Sequence, residues 1–216
     1  MRDYKQIWTT EFKNWKTNPG KIESSSGVGS SINRTITVRK IISNIIKKYQ
    51  IKSIIDCPCG DFHWMKLINL KNIDYLGIDI VDEKIKIDQE KYETENIKFK
   101  TMDMLKNKLK KKTDLLICRD MLPHFPFSDV VLFLNNILYS NSKYILMTTF
   151  PNHTESEKIN SCSWGALNVE KPPYNFSSCK LECYNENDPE LKETKNYDKS
   201  LILLDCAKLK NIVKKL

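Results

Sequence analysis

The chain predicts an α/β fold with a mainly parallel sheet covered by helices on both faces. Three observations carry this. From residue 51 to 150 short apolar runs alternate with segments of helical period. Several of those runs, such as Leu115 to Ile117 and Ile145 to Met147, are continuously apolar, as strands buried on both faces require. The first, second and fourth are followed by a turn and then a helix-type segment, the βαβ rhythm of a parallel sheet.

Each element has its own signal. Trp8, Phe12 and Trp15 recur at helical spacing in the N-terminal stretch. Glu23 to Thr35, ESSSGVGSSINRT, is a Ser/Gly loop. From Thr35 to Gln50 an apolar stripe of Val38, Ile41, Ile42, Ile45, Ile46 and Tyr49 faces lysines, which predicts an amphipathic helix. Ser53 to Cys57 reads as the first strand and Phe62 to Leu70 as the helix after it. Tyr75 to Ile80 is a strand, Val81 to Tyr92 a helix, Ile97 to Met102 a strand and Asp114 to Arg119 a buried strand. Ser128 reads as the cap of a helix carrying Val131, Leu134, Ile137 and Leu138, and Tyr144 to Thr149 as a fifth strand. Pro151 to Ser178 has no clear period, and loops of that length are usually functional or disordered. Lys180 to Tyr184 and Ser200 to Asp205 close the pattern as an antiparallel edge.

The totals narrow the function. The chain of 216 residues suits one ordinary domain, residues 1–216. No apolar run reaches the roughly 18 residues a membrane span needs, and the polar N-terminus lacks the core of a signal peptide. The expected location is the cytoplasm (host cytoplasm or virion for a viral chain). Seven cysteines there stay as thiols, and the sequons at Asn33, Asn152 and Asn175 stay unglycosylated. The net charge of +8 admits a nucleic-acid partner. Lys106 to Lys112, KNKLKKK, has no interleaved aromatics and reads first as a solvated loop.

The chemistry concentrates in IIDCPCGDFHWM, Ile54 to Met65. Cys57 and Cys59 lack the spacing of a zinc knuckle and no matching Cys/His pair follows, so no metal site is expected. A cofactor turn fits better. Gly60 follows the first strand, and Asp79 ends the next strand nineteen positions later, where a carboxylate accepts from ribose hydroxyls. The G-x-G-x-x-G of a dinucleotide site and the G-K-[ST] of a P-loop are both missing. Asp61 would repel phosphate and favour a sulfonium or ammonium, which points to S-adenosyl-L-methionine. Asp103, after the third strand, can accept from the adenine amino group, with Met102 and Met104 beside the ring.

DCPCGDFHWM, YLGIDIV, CRDMLPHF, YILMTTF and YDKSLILL, with the upstream SGVGSS, resemble class I S-adenosylmethionine-dependent methyltransferases of the bacterial and large-DNA-virus sugar O-methyltransferase type. The group includes a domain of a chlorovirus glycan-building protein. The resemblance implies a Rossmann-like seven-stranded sheet with the last strand antiparallel. Asp56, Cys59, Gly60 and Asp61 would line the methionine part, Asp79 and Ile80 the ribose, and Asp103 and Met104 the adenine. Residues 1–35 would cover the cofactor, with Gly27, Ser30, Thr35 and Arg39 closing over it and Arg39 meeting the methionine carboxylate. Arg119 joins the cofactor set at the fourth strand end. His124 is the candidate base for a weakly nucleophilic sugar hydroxyl, with Asp120 as its helper or as the base itself. Residues 151–178 form the acceptor-side loop, where His153, Trp164 and Asn168, joined by Asp198 and Lys199, would meet a carbohydrate or nucleotide sugar. The loop departs from the family's W-R-P-L-N-L, reading Trp164, Gly165, Ala166, Leu167, Asn168, Val169, so its acceptor is held without that arginine. An RNA or cap methyltransferase, and a cofactor-binding scaffold without turnover, are the alternative readings.

Overall fold

A computed structural model describes residues 3–17, 23–154, 156, 164–187 and 198–216. Seven strands form one sheet in the order β3-β2-β1-β4-β5-β7-β6. The chain divides into two compact units, residues 1–103 and 104–216.

In the first unit, α1 (Tyr4–Lys16) starts where Asp3 accepts from the Gln6 amide, and it buries Tyr4 and Phe12. Lys5 pairs with Asp82, and Lys16 with Glu83 at 2.7 Å. These ties join α1 to α3 (Asp82–Tyr92), whose acidic first turn suits a helix N-terminus. In α2 (Ile36–Lys48) the predicted stripe is buried at Val38, Ile41, Ile42 and Ile45. β1 (Ser53–Asp56), β2 (Asp74–Asp79) and β3 (Ile97–Thr101) pair in parallel.

The helix expected over Phe62 to Leu70 is not formed. Gly60 (φ +62°) and Phe62 (φ +54°) are left-handed, which a helix cannot start from, and only a short 3₁₀ turn follows at Met65–Leu67. Burial explains the choice. Phe62, Trp64, Met65, Ile68 and Leu70 are all buried, a set no single helical face can present. Phe62 packs at 5.1 Å from both the Tyr75 and Phe99 rings.

In the second unit, β4 (Leu115–Cys118) and β5 (Tyr144–Thr149) are parallel. β7 (Ser200–Asp205) runs antiparallel to β5 and to β6 (Lys180–Asn185), which confirms the expected antiparallel strand. α4 (Phe127–Ile137) begins directly after Pro126, whose backbone (φ −64°, ψ 158°) occupies the cap position. Ser128 therefore lies inside the first turn and bonds Asp129 instead of capping. The chain continues past the last predicted strand into α5 (Cys206–Val213), capped by Asp205 accepting from the Lys208 amide at 2.9 Å. Its eight residues are too few for a periodic signal in the sequence alone.

Gly77 on β2 is required by close approach. A Cβ there would lie 2.7 Å from Phe99 Cδ1 and 3.0 Å from Cys59 Sγ. The Phe99 ring cannot yield, because Phe62 and Tyr75 enclose it. Gly77→Ala should therefore lose about 1–3 kcal/mol, read as a lower urea midpoint with an unchanged slope.

Candidate functional site

The first unit gathers its polar groups around the turn after β1. Gly60 adopts φ +62° and passes so near Ser26 that a Cβ would sit 2.5 Å from its hydroxyl. Its amide donates to Asp79 Oδ2 at 3.2 Å, while the Val81 amide donates to Oδ1 at 3.0 Å. Asp79 is 5% exposed. Each of its oxygens holds one backbone bond and keeps acceptor capacity for another donor. Lys84 Nζ, also buried, stands 3.7 Å from Oδ2.

Asp61 has a different set of partners from those expected. Its carboxylate accepts from Ser24 Oγ on both oxygens at 2.9 Å, and from the Ser25 amide at 2.8 Å. The Asp61 amide in turn donates to Ser26 Oγ at 2.9 Å. Asp61 thus anchors the Ser-rich segment. His63, which the expected helix over Phe62 to Leu70 would have carried, lies in the turn and meets Glu23 at 3.0 Å. That bond to His63 holds the Glu23 carboxyl below its ordinary range. Thr35 and Arg39 are likewise turned onto their own segment. Thr35 Oγ1 donates to Ser31 O at 2.8 Å, and Arg39 donates to the Thr35 and Ile32 carbonyls at 3.2 and 3.0 Å. Gly27 (φ +92°) opens the 3₁₀ turn that carries Ser30.

Asp56 is buried and accepts from the Tyr75 hydroxyl at 2.9 Å. Cys59 is buried as well. Burial first, then Asp79 and Asp56, pushes its thiol well up, so it is a packing group and not a nucleophile. Ile80 and Asp103 are half-buried and Met104 is buried.

In the second unit four charges meet at the ends of β4 and β6 and the start of β7. Arg119 grips Glu186 with two bonds, Nε to Oε2 at 3.0 Å and Nη2 to Oε1 at 3.1 Å. Its Nη1 stands 3.2 Å from Asp120 Oδ2. Lys199 Nζ bridges Asp120 Oδ2 at 2.5 Å and Glu186 Oε1 at 2.6 Å. Burial raises the Asp120 carboxyl, but Arg119, Lys199 and His124 outweigh it and hold it at about 2. Asp120 is therefore ionised at neutral pH and a poor proton acceptor. It is also left-handed, φ +60°, with its amide donating to Thr148 Oγ1 at 2.9 Å.

His124 ends a 3₁₀ turn, Leu122–His124, whose Pro123 carbonyl accepts from the Gly165 amide at 3.0 Å. This ties Gly165 to the histidine's own turn. Trp164 is 45% exposed and meets the buried Phe150 ring edge-on at 5.4 Å, with His153 on the same ring at 6.0 Å. Asn168 is buried and works inside the loop. Its amide donates to the Pro151 and His153 carbonyls at 3.2 and 2.6 Å, and its Oδ1 accepts from the Glu170 amide. Asp198 accepts from the Asn152 amide at 3.0 Å. Much of the stretch between, residues 155 and 157–163, lies outside the described residues.

Glu186 was not among the sequence candidates. It stands 67 positions from Arg119, and only the pairing register of the last two strands brings it there. Among the described residues no cluster of three or more His, Cys, Asp or Glu is placed to hold a metal. Nor is any helix among them long and apolar enough to cross a membrane.

Residues 50–215 match the family described as a methyltransferase domain, and the chain belongs to that family. A search of curated proteins finds no matching sequence. Solved structures agree on the fold. A Synechocystis magnesium protoporphyrin IX methyltransferase with bound SAH aligns at TM-score 0.65 and 14% identity over 94% of this chain and 97% of that one. Burkholderia thailandensis 1,6-didemethyltoxoflavin-N1-methyltransferase, crystallised with S-adenosylhomocysteine, aligns at TM-score 0.65 and 10% identity, covering 94% and 88%. The N-methyltransferase NodS of Bradyrhizobium japonicum, also with SAH, aligns at TM-score 0.64 and 11% identity, covering 94% and 98%.

One buried group near the Gly60 turn has a measurable consequence. Asp88 on α3 is 1% exposed, and its Oδ2 has no hydrogen-bond partner among the described residues. Burial, then Asp61, raises its carboxyl from 3.8 to about 8, against the pull of Lys84. The folded state thus holds a proton that the unfolded chain releases, and stability falls as pH rises from 3.8 through about 8. Asp88→Asn should remove this dependence. Its stability relative to wild type should grow by about 1–3 kcal/mol between pH 5 and pH 9 in urea titrations.

Proposed function

We propose that this methyltransferase uses S-adenosyl-L-methionine to O-methylate a sugar hydroxyl of a glycan or nucleotide sugar. The observation that carries the cofactor assignment is Asp79, fixed behind the Gly60 turn with acceptor capacity left on both oxygens. That suits the two hydroxyls of a ribose. With no helix opening at Asp61, the turn offers no helix N-terminus for a pyrophosphate, which argues against a dinucleotide. Ile80, Asp103 and Met104 would flank the nucleoside. Asp56, Cys59 and Asp61 would shape the turn, and Gly27, Ser30, Thr35 and Arg39 would keep the segment over it in place.

Bound S-adenosylmethionine supplies an electrophilic methyl group. The protein's own work is to orient the acceptor, exclude water and remove a proton. In this reading His124 takes the hydroxyl proton. Asp120 stays ionised and stabilises the imidazolium that results. The ordinary affinity of a carboxylate for the proton is suppressed by Arg119 and Lys199, so base duty falls to the histidine. Trp164 supports the sugar reading: it presents a flat, exposed ring anchored edge-on by Phe150, suited to the apolar face of a pyranose. Asn168 and Asp198 serve by shaping the loop that carries His153 and Trp164. The six free thiols among the described residues suit a reducing, cytoplasmic setting.

The deciding experiment incubates the protein with labelled S-adenosylmethionine and a panel of nucleotide sugars, oligosaccharides and RNA. Label on a saccharide is expected, and label on RNA alone would overturn the sugar reading. In calorimetry Asp79→Ala should weaken cofactor binding about tenfold or more. His124→Ala should keep that affinity while losing about 100-fold or more in kcat.

A further inference from the structure

Lys199 entered as a candidate for acceptor binding and Glu186 not at all, yet the two stand together for a reason of register. The β6–β7 pairing ends at Asn185↔Ser200, and the Glu186 amide donates to the Lys199 carbonyl at 3.0 Å. The antiparallel pairing therefore brings these two residues together at the strand ends. Glu186 is 4% exposed on its side chain and holds both cations, Arg119 by its two-pronged bond and Lys199 at 2.6 Å.

Both cations then converge on one atom. Asp120 Oδ2 receives Lys199 at 2.5 Å and stands 3.2 Å from Arg119 Nη1. Among the described residues Oδ1 meets only the Thr148 hydroxyl, at 3.5 Å, too long for a strong bond. The side chain of Asp120 is 31% exposed, whereas those of Arg119 and Glu186 are nearly sealed. Two opposite pairs make a neutral set. For stability alone such a buried set gains little over apolar packing, because desolvation offsets the attraction. What the arrangement does provide is an aspartate with one oxygen held by two cations and the other, among the described residues, bearing only the long Thr148 contact, on a left-handed backbone that sits at a strand end.

We propose that Lys199 and Glu186 are positioning residues: through them, one oxygen of Asp120 is pinned and the other is presented to a donor O–H or N–H of the methyl acceptor. Lys199 thus acts on the acceptor through Asp120, not by touching it. This rests on the reading of His124 and Asp120 as the site of methyl transfer, with the second Asp120 oxygen now assigned to the acceptor, and it restricts the substrate to one carrying a hydrogen-bond donor beside the methylated atom.

The test uses the full chain with Lys199→Met, Lys199→Arg and Glu186→Gln, each checked for folding by thermal melting. Cofactor affinity is read by calorimetry, the Asp120 carboxyl by ¹³C NMR titration, and kcat and KM with the saccharide that takes label. In Lys199→Met the Asp120 midpoint should rise by about 1 unit or more. The acceptor KM should rise about tenfold with cofactor affinity within about twofold, and Lys199→Arg should recover most of the loss. Glu186→Gln should move the acceptor KM in the same direction. Should it fail to fold, the Lys199 variants carry the test. A folded Lys199→Met protein with unchanged acceptor KM and an unmoved Asp120 midpoint overturns the proposal. If no saccharide takes label, the sugar reading fails by itself, and the NMR titration still decides whether Lys199 governs Asp120.

Discussion

The turn after β1 has room for a hydrogen atom and nothing larger at Gly60, and the first unit is organised around that constraint. Left-handed backbone there turns the Gly60 amide onto Asp79 and brings Ser26 against the same residue. The Ser24 and Ser25 hydroxyls then close on Asp61. One backbone conformation therefore fixes both a strand-end carboxylate and the segment preceding α2. Any side chain at position 60 would displace Ser26 and loosen both at once, and an L-residue would strain the backbone besides.

The second unit solves a different problem, that of burying charge. Arg119 and Glu186 are almost wholly removed from water, which is costly unless each donor and lone pair is met. The two-pronged Arg119–Glu186 contact meets most of them, and Lys199 joins Glu186 to Asp120. Asp120 is the most exposed member, and it is ionised. Against the effect of burial, Arg119 and Lys199 lower the Asp120 carboxyl further still, which widens the gap by which an imidazole is already the stronger base.

Composition and periodicity carried the sheet a long way. Strands buried on both faces need continuous apolar runs, so β1, β2, β4, β5 and β7 are legible as such runs. The amphipathic stripe of α2 is equally plain. Asp79 was legible because strand, glycine turn, strand and acidic end form a local pattern in chain order. The segment after Gly60 was not, since a helix signal based on composition cannot see that Phe62, Trp64 and Met65 are all buried, Phe62 against the Tyr75 and Phe99 rings. α5 and the start of α4 were hidden for local reasons, the one too short for a period and the other set by Pro126.

What the sequence determined by itself is the set of elements, the glycine turn, the carboxylate at the end of β2 and the chemical types available at the strand ends, because each of these depends on neighbours along the chain. What only the tertiary structure decided is which of those groups remain open. Asp61, Arg39 and Asn168 read as ligand contacts from their positions, yet their hydrogen bonds go to the protein's own loops. Glu186 read as nothing, yet it holds the Arg119–Lys199–Asp120 cluster. Pairing register and close approach bring together residues far apart in the chain, and a hydrogen bond is satisfied by whichever partner the fold places within about 3 Å.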